Sequence, residues 1–245
     1  MNATLDLSIV CGTIVDFTGD PTKDPNACRV VIDGAFVIEN GIIIDRGDSA
    51  VMQTAYPNAI CHDYSGQIIM PGFIDAHIHF PQQEIVGSYG KQLLDWLDNY
   101  TFPAEEAFGE GNHAEVMAKK FIDELFRNGT TCCMAYATVQ KSVTEALFAE
   151  ASKRDMCLFA GKVLMNRNAP EGLLDTVEQA EAACRALIER WHGVGRNHYV
   201  LTPRFAISCT AEEMQMAAAL HREHPTTYIQ THLSENSKAV EVCFT

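Results

Sequence analysis

The first 66 residues alternate short apolar runs with turn-forming residues. The apolar runs are rich in β-branched residues and cover 8–17, 29–32, 35–38 and 41–47. Asp33-Gly34 and Asn40-Gly41 stand between the later runs, and both dipeptides are strong signals for hairpin turns between antiparallel strands. The pattern predicts a small antiparallel sheet with no chemistry of its own, which we assign to an N-terminal domain spanning residues 1–66.

From residue 67 onward, strand-like apolar runs alternate with helical patterns. After a first strand that ends at His79, strands are predicted at 130–136, 156–165, 199–206 and 227–232, and helices at 93–100, 113–127, 143–153, 174–191 and 211–224. Alternation of this kind predicts a parallel sheet with crossover helices. A complete eight-stranded barrel takes about 250 residues, whereas only five strands can be read here. We therefore predict an α/β fold with a partial (β/α)8 barrel of the TIM type over residues 67–245.

Histidines occupy the ends of the first and fifth predicted strands. An apolar run typical of a buried strand leads to His77 and His79, and His232 closes the fifth strand. Residues spaced i, i+2 in a strand face the same way, although a bare H-x-H pair is equally compatible with two ordinary histidines. Active sites of parallel barrels lie at the carboxyl ends of the strands, so the three imidazoles can converge there on one metal ion.

Several segments together carry a family resemblance. The segment P-G-F-I-D-A-H-I-H at 71–79 resembles the first barrel strand of the amidohydrolase superfamily, a group of metal-dependent hydrolases. Four others resemble the guanine deaminase family within it: L-L-D-W-L at 93–97, Y-T-F-P-A-E at 100–105, T-P-R-F at 202–205 and T-H-L-S-E-N at 231–236. The resemblance covers nearly the whole chain. It implies a distorted barrel flanked by a β-sandwich, of which residues 1–66 form the N-terminal portion.

The resemblance also implies the metal chemistry. His77, His79 and His232 match three ligands of one Zn²⁺ ion, with Fe²⁺ as the other option. The family's remaining ligands, a histidine on strand six and an aspartate on strand eight, have no counterpart in the sequence, so the chain looks like a barrel truncated at its C-terminal end. Glu235 falls just beyond the fifth strand, where it can exchange protons with the metal's water and the substrate. A solvated or helix-capping acid is the alternative for this residue.

Three further positions match residues that contact the base in this family, namely Gln82, Arg204 and Phe205. The five donors of an arginine suit a purine carbonyl or ring nitrogen, and a phenylalanine offers an apolar face to an aromatic ring. The corresponding alternatives are a loop amide, a surface salt bridge and core packing. Trp96 is assigned to helix packing rather than to ligand contact.

The resemblance implies hydrolysis of guanine to xanthine and ammonia, with a homodimer as the family's assembly. Two alternatives remain open. One is deamination of another aminated heterocycle, such as a triazine or a pterin. The other is an inactive fragment. With five strands, the first and the fifth present open edges, so residues 1–245 alone are expected to aggregate and to show no measurable deamination of guanine.

Composition excludes several classes of partner. Lys and Arg number 18 against 32 Asp and Glu, a formal charge of −14, which argues against nucleic acid or an anionic membrane surface as a partner. No apolar run approaches the about 20 residues of a membrane span, and Met1–Asp6 lacks the basic region of a signal peptide. The nine cysteines are scattered without a C-x-x-C pair, as expected of free thiols in a reducing compartment. The sequence therefore predicts a cytoplasmic protein.

Overall fold

The computed structural model describes residues 7–90, 92–235, 237 and 240–241. It consists of two compact units that divide between Pro71 and Gly72, whereas the sequence pattern places the boundary after residue 66. The strand at Ile60–Ile69 accounts for the difference, because it crosses residue 66 and belongs to the sheet of the first unit. Met1–Asp6, Asn236 and Cys243 lie outside the described residues.

The first unit is a four-stranded sheet with one short helix. Its strands are β1 (Leu7–Phe17), β2 (Cys28–Glu39), β3 (Ile42–Asp48) and β4 (Ile60–Ile69), in the order β3-β2-β1-β4, and helix α1 covers Ser49–Ala55. Strands β1, β2 and β3 pair antiparallel, but β4 runs parallel to β1. The prediction of a purely antiparallel sheet is therefore wrong. Helix α1 connects β3 to β4 at the other edge of the sheet, so that β4 runs in the same direction as β1.

The two predicted hairpin dipeptides behave differently. Asn40 and Gly41 have φ of 50° and 80° and form the two-residue turn between β2 and β3, as predicted. Asp33, with φ of 52°, lies inside β2 at a bulge where the pairing with β1 shifts register. A Cβ on Gly34 would lie 2.8 Å from a side-chain carbon of Ile14, so this close approach requires glycine. The prediction of a hairpin turn at Asp33-Gly34 is thus wrong, because the strand continues in the same direction after the bulge.

The second unit is built on a parallel sheet. Its strands are β5 (Phe73–His79), β6 (Thr130–Tyr136), β7 (Cys157–Gly161), the short β8 (Val163–Leu164), β9 (Asn197–Pro203) and β10 (Tyr228–Ile229). The order is β10-β9-β7-β6-β5, and β8 also pairs with β9. All these pairs are parallel. The expected partial barrel of about five strands is confirmed, with the third predicted strand interrupted between β7 and β8.

Helices connect the strands as the pattern predicts. They are α2 (Leu93–Trp96), α3 (Phe102–Ala107), α4 (His113–Arg127), α5 (Lys141–Lys153), α6 (Val177–Trp191) and α7 (Ala211–Glu223). A π-helical turn at Leu97–Thr101 joins α2 to α3, so the predicted helix at 93–100 continues to residue 107. Thr176 and Gln179 form a capping box at the start of α6. None of the described helices is both long enough and apolar enough to cross a membrane.

The main core of the second unit lies between the sheet and helices α4 to α7. Phe121, Leu147, Leu187 and Leu220 point from the four helices into this core, which Leu158 of β7 shares. All five are buried, and burying one such side chain stabilises the fold by about 1.5–3 kcal/mol. This packing fixes the strands, and hence the positions of the side chains at their carboxyl ends.

Strands β5 and β10 are the two edges of the parallel sheet. Phe73 and Ile74 on β5 are 57% and 73% exposed, and Tyr228 and Ile229 on β10 are 43% and 48% exposed. The apolar run before His77 therefore does not form a buried strand, because β5 has only β6 as a partner among the described residues.

Candidate active site

Three histidine side chains meet at the carboxyl ends of the sheet. His77 and His79 end β5, and His232 follows β10 after a short extension of the chain along β9. One ligand nitrogen from each lies within 4.8 Å of the others. This is the one cluster of at least three potential metal-ligating side chains that the described part of the chain contains.

The protonation states of His79 and His232 suit a divalent metal. His232 Nδ1 lies 2.8 Å from the carbonyl oxygen of Arg204, so Nδ1 carries the proton and donates it, which leaves the lone pair on Nε2. His232 Nε2 in turn lies 3.0 Å from Nε2 of His79. Burial, followed by the nearby Arg204, His232 and His77, lowers the pKa of His79 to about 2. Neutral imidazoles with converging lone pairs are the donor set that zinc and iron accept.

Tyr136 packs against all three histidines, although the sequence analysis did not predict it as a site residue. Its ring stacks on that of His79 at 4.6 Å between centroids and lies 4.4 Å from His232 and 5.2 Å from His77. It pairs with His79 across β5 and β6, so its position as the last residue of the second barrel strand was the available signal. The aromatic ring restricts rotation of the imidazoles and so helps to fix the direction of their lone pairs.

A cavity of about 220 Å³ opens beside the histidines. It is lined by the three histidines, by all four other predicted site residues and by three residues of one helical segment: His77, His79, His232, Gln82, Arg204, Phe205, Glu235, Leu93, Trp96 and Leu97. The volume is below the about 300–1,000 Å³ of sites for drug-sized ligands. The cavity therefore suits a small, partly apolar molecule.

The helical segment from residue 93 to residue 107 forms one wall of this cavity. Leu93 and Trp96 of α2 and Leu97 of the π-helical turn line it. Trp96 also packs on the apolar cluster around Phe205, which agrees with its predicted packing role, and it lines the cavity as well. π-helical turns are frequent at functional sites, but the sequence carries no reliable signal for them.

Arg204 lines the cavity, and its guanidinium also forms an ion pair with a buried carboxylate. Its Nη1 donates to both side-chain oxygens of Glu105, at 2.8 and 2.7 Å, and its guanidinium lies 5.4 Å from the ring centroid of Phe102. Arg204 and Glu105 are 2% and 0% exposed, so the ion pair is buried and is not a surface salt bridge. Burial raises the pKa of Glu105, and the neighbouring Arg204 opposes that effect.

Glu235 reaches the cavity through an unusual backbone position. Ser234, which precedes it, has φ of 57°, so the chain turns sharply between His232 and Glu235. The turn places the carboxylate at the cavity wall while the residue remains solvent-exposed. A carboxylate there can exchange protons with a molecule in the cavity and with water.

The fold of this chain is shared with a known protein family. A sequence model of the amidohydrolase family matches residues 68–243, which is more than half of the chain. The chain belongs to the amidohydrolase family. The match begins within β4 and includes every residue that lines the cavity.

Within the amidohydrolase family, this chain is similar to several guanine deaminases. It is 42% identical to the guanine deaminase of Escherichia coli over 244 residues, which cover 98% of this chain and 56% of that protein. The structure of guanine deaminase from Bradyrhizobium japonicum superimposes with a TM-score of 0.94 at 37% identity, covering 98% of this chain and 53% of that one. Guanine deaminase from C. acetobutylicum, with guanine bound in its active site, gives 0.85 at 28% identity, covering 97% and 55%. The chain spans about half the length of the curated relatives it matches.

Proposed function

We propose that this amidohydrolase converts guanine and water to xanthine and ammonia. The observation that carries the proposal is that all seven predicted site residues line one cavity. Gln82, Arg204, Phe205 and Glu235 line it together with the three histidines, in a chain that is 42% identical to the E. coli guanine deaminase. A triazine or a pterin is less favoured as the substrate, because the relatives named above, at 28–42% identity, are guanine deaminases.

We propose His77, His79 and His232 as the ligands of one Zn²⁺ ion, with Fe²⁺ as the second option. The neutral state of His79 and the fixed tautomer of His232 support this assignment. Bound there, such a metal would activate water for attack on an electrophilic carbon. The chain's own contribution is to hold the three nitrogens in place through the stack on Tyr136 and the Arg204 carbonyl.

Glu235 is proposed as the proton carrier. As general base, Glu235 takes a proton from the attacking water. It then delivers this proton, as general acid, to the ring nitrogen beside the carbon that is attacked. A second proton, moved from the resulting hydroxyl to the amino group, allows ammonia to leave and xanthine to remain. The position of Glu235 at the cavity wall supports this role, since it can reach a bound ring.

The remaining polar groups are proposed to orient the base. Arg204 donates from Nε and Nη2 to the purine carbonyl or a ring nitrogen, and Gln82 adds an amide at the cavity wall. Phe205, which is 7% exposed, packs on the ring face. The family resemblance further suggests a homodimer, and the scattered cysteines suggest a cytoplasmic location.

Replacing Arg204 with alanine is expected to lower kcat/KM for guanine about ten- to a hundredfold. A buried hydrogen bond to a charged group contributes about 1.5–3 kcal/mol, and the loss should fall mainly on KM. Steady-state kinetics measure it, with Arg196→Ala, an exposed arginine on the loop before β9, as the control. Unchanged kinetics on guanine in the Arg204→Ala variant would remove this residue from the binding site.

The proposed function is tested in a completed chain, because the relatives are about twice as long. Residues 1–245 are joined to the C-terminal remainder of the E. coli guanine deaminase, of which they match 56%, and ammonia release is measured with guanine, a pterin and an aminotriazine. We expect guanine to be used at least tenfold more efficiently than the other two compounds. Preference for either of the others, or no deamination by a metal-loaded and folded protein, overturns the proposal.

A further inference from the structure

The buried ion pair between Arg204 and Glu105 has no part in the chemistry described so far. It joins the end of β9 to helix α3 across 99 positions of sequence, and both side chains are almost completely buried. A buried ion pair of this kind costs free energy of desolvation and seldom adds stability over apolar packing. Its position behind the cavity wall points instead to a role in recognition.

The pair determines which donors Arg204 can offer. Both contacts to Glu105 use Nη1, and no acceptor in the described part of the chain bonds to Nε or Nη2. The guanidinium is planar, so anchoring Nη1 on the carboxylate, with the Phe102 ring at 5.4 Å, fixes the directions of the other N–H groups. Arg204 also lines the cavity, and those groups are the ones available to a ligand.

The pair also decides the charge that a ligand meets. Glu105 neutralises the charge of Arg204 at the cavity wall, and Glu235, the one acid among the lining residues, is the proposed proton carrier. Without Glu105 the same guanidinium would present a full positive charge in a buried place, which favours anions. With Glu105 the cavity offers N–H donors without net positive charge, which suits a neutral ring.

We propose that Glu105 is a positioning and specificity-determining residue: it aims Nε and Nη2 of Arg204 at the purine and makes the cavity select neutral over anionic heterocycles. This inference rests on the proposed function, because guanine is taken as the neutral base. Glu105 acts through Arg204 and touches neither the substrate nor the metal ligands.

The test measures binding in the metal-free completed chain, where no turnover occurs. Equilibrium dialysis gives Kd for labelled guanine and for urate, a purine that is an anion at neutral pH. In Glu105→Gln we expect Kd for guanine to rise about tenfold and Kd for urate to fall, so that the preference for the neutral ring is reduced or reversed. In Glu106→Gln, which removes the same charge from an exposed position of α3, both values should stay within about twofold.

A double-mutant comparison separates positioning from a general structural effect. In the Arg204→Ala background, Glu105→Gln should leave both Kd values unchanged, because Glu105 then has nothing to aim. In the metal-loaded protein, Glu105→Gln should raise KM more than it lowers kcat. Should this variant fail to fold, Glu105→Asp keeps the charge but shortens its reach, and a weaker loss of guanine binding with retained discrimination against urate is expected.

The outcomes distinguish this inference from the proposed function. If the unmodified completed chain binds no guanine, both are overturned. If it binds and deaminates guanine but Glu105→Gln changes neither affinity nor the guanine-to-urate ratio, only the role of Glu105 is wrong. Additive losses in the double variant would also rule out this role, since they would mean that Glu105 acts independently of Arg204.

Discussion

Replacing Glu235 with glutamine is expected to lower the turnover of guanine by about 10²–10⁴-fold, the usual contribution of general acid–base catalysis. The amide keeps the size and position of the side chain but cannot accept the proton of the attacking water. Because Glu235 is not among the converging histidine ligands, metal binding should be unaffected. Steady-state kinetics of the completed chain, together with metal analysis of the same preparation, measure both effects.

The matched control for this prediction is Glu241→Gln. Glu241 is an exposed acid a few residues further along the chain and does not line the cavity, so its variant should keep full turnover. The prediction concerns chemistry rather than binding, so the KM of the Glu235→Gln variant should change little. Near-normal turnover, or loss of the metal together with turnover, would falsify the proposed role.

The second large effect is expected from His232→Ala, which should leave the protein without stoichiometric metal and without detectable deamination. Changes to residues that only orient a metal ligand already cost about 10–100-fold in affinity, and removing a ligand should cost more. The variant also leaves the Arg204 carbonyl without its Nδ1–H donor. Metal content per chain after dialysis, measured by mass spectrometry, checks the prediction.

His62→Ala provides the matched control, because His62 is an exposed histidine of the first unit. It should retain the metal content and activity of the unmodified protein. A His232→Ala variant that still binds one equivalent of metal would mean that the ion is held elsewhere. The cluster of His77, His79 and His232 would then need another explanation.

Much of the site could be predicted from the sequence because parallel strands bring distant residues together at a common edge. The spacing of His77 and His79 sets their shared direction, and the end of the fifth strand supplies His232 at the same edge. These inferences depend only on strand direction and on the β–α alternation. All seven predicted site residues line one cavity, but Gln82, Arg204 and Phe205 were predicted from the family resemblance and not from the strand pattern. The chemical roles of all seven residues are proposals.

Other features could not be read from local patterns. Glu105 and Arg204 are 99 positions apart in the sequence. Nothing in the segment Y-T-F-P-A-E indicates which residue the carboxylate of Glu105 will pair with. Asp33-Gly34 signals a positive φ, but the dipeptide does not say whether the chain reverses or continues through a bulge. The predicted burial of the first strand is wrong for a related reason, since apolar composition does not reveal whether a neighbouring strand covers it.

The dual use of Arg204 has a consequence for redesign of the substrate range. Its side chain is aimed into the cavity, while its carbonyl oxygen accepts hydrogen bonds from both the backbone and the ring of His232. A substitution that shifts the backbone at this position would therefore alter the metal environment along with the pocket. Directed evolution toward other heterocycles should start at Gln82 or Leu93, which line the same cavity and make no hydrogen bond to the described histidines.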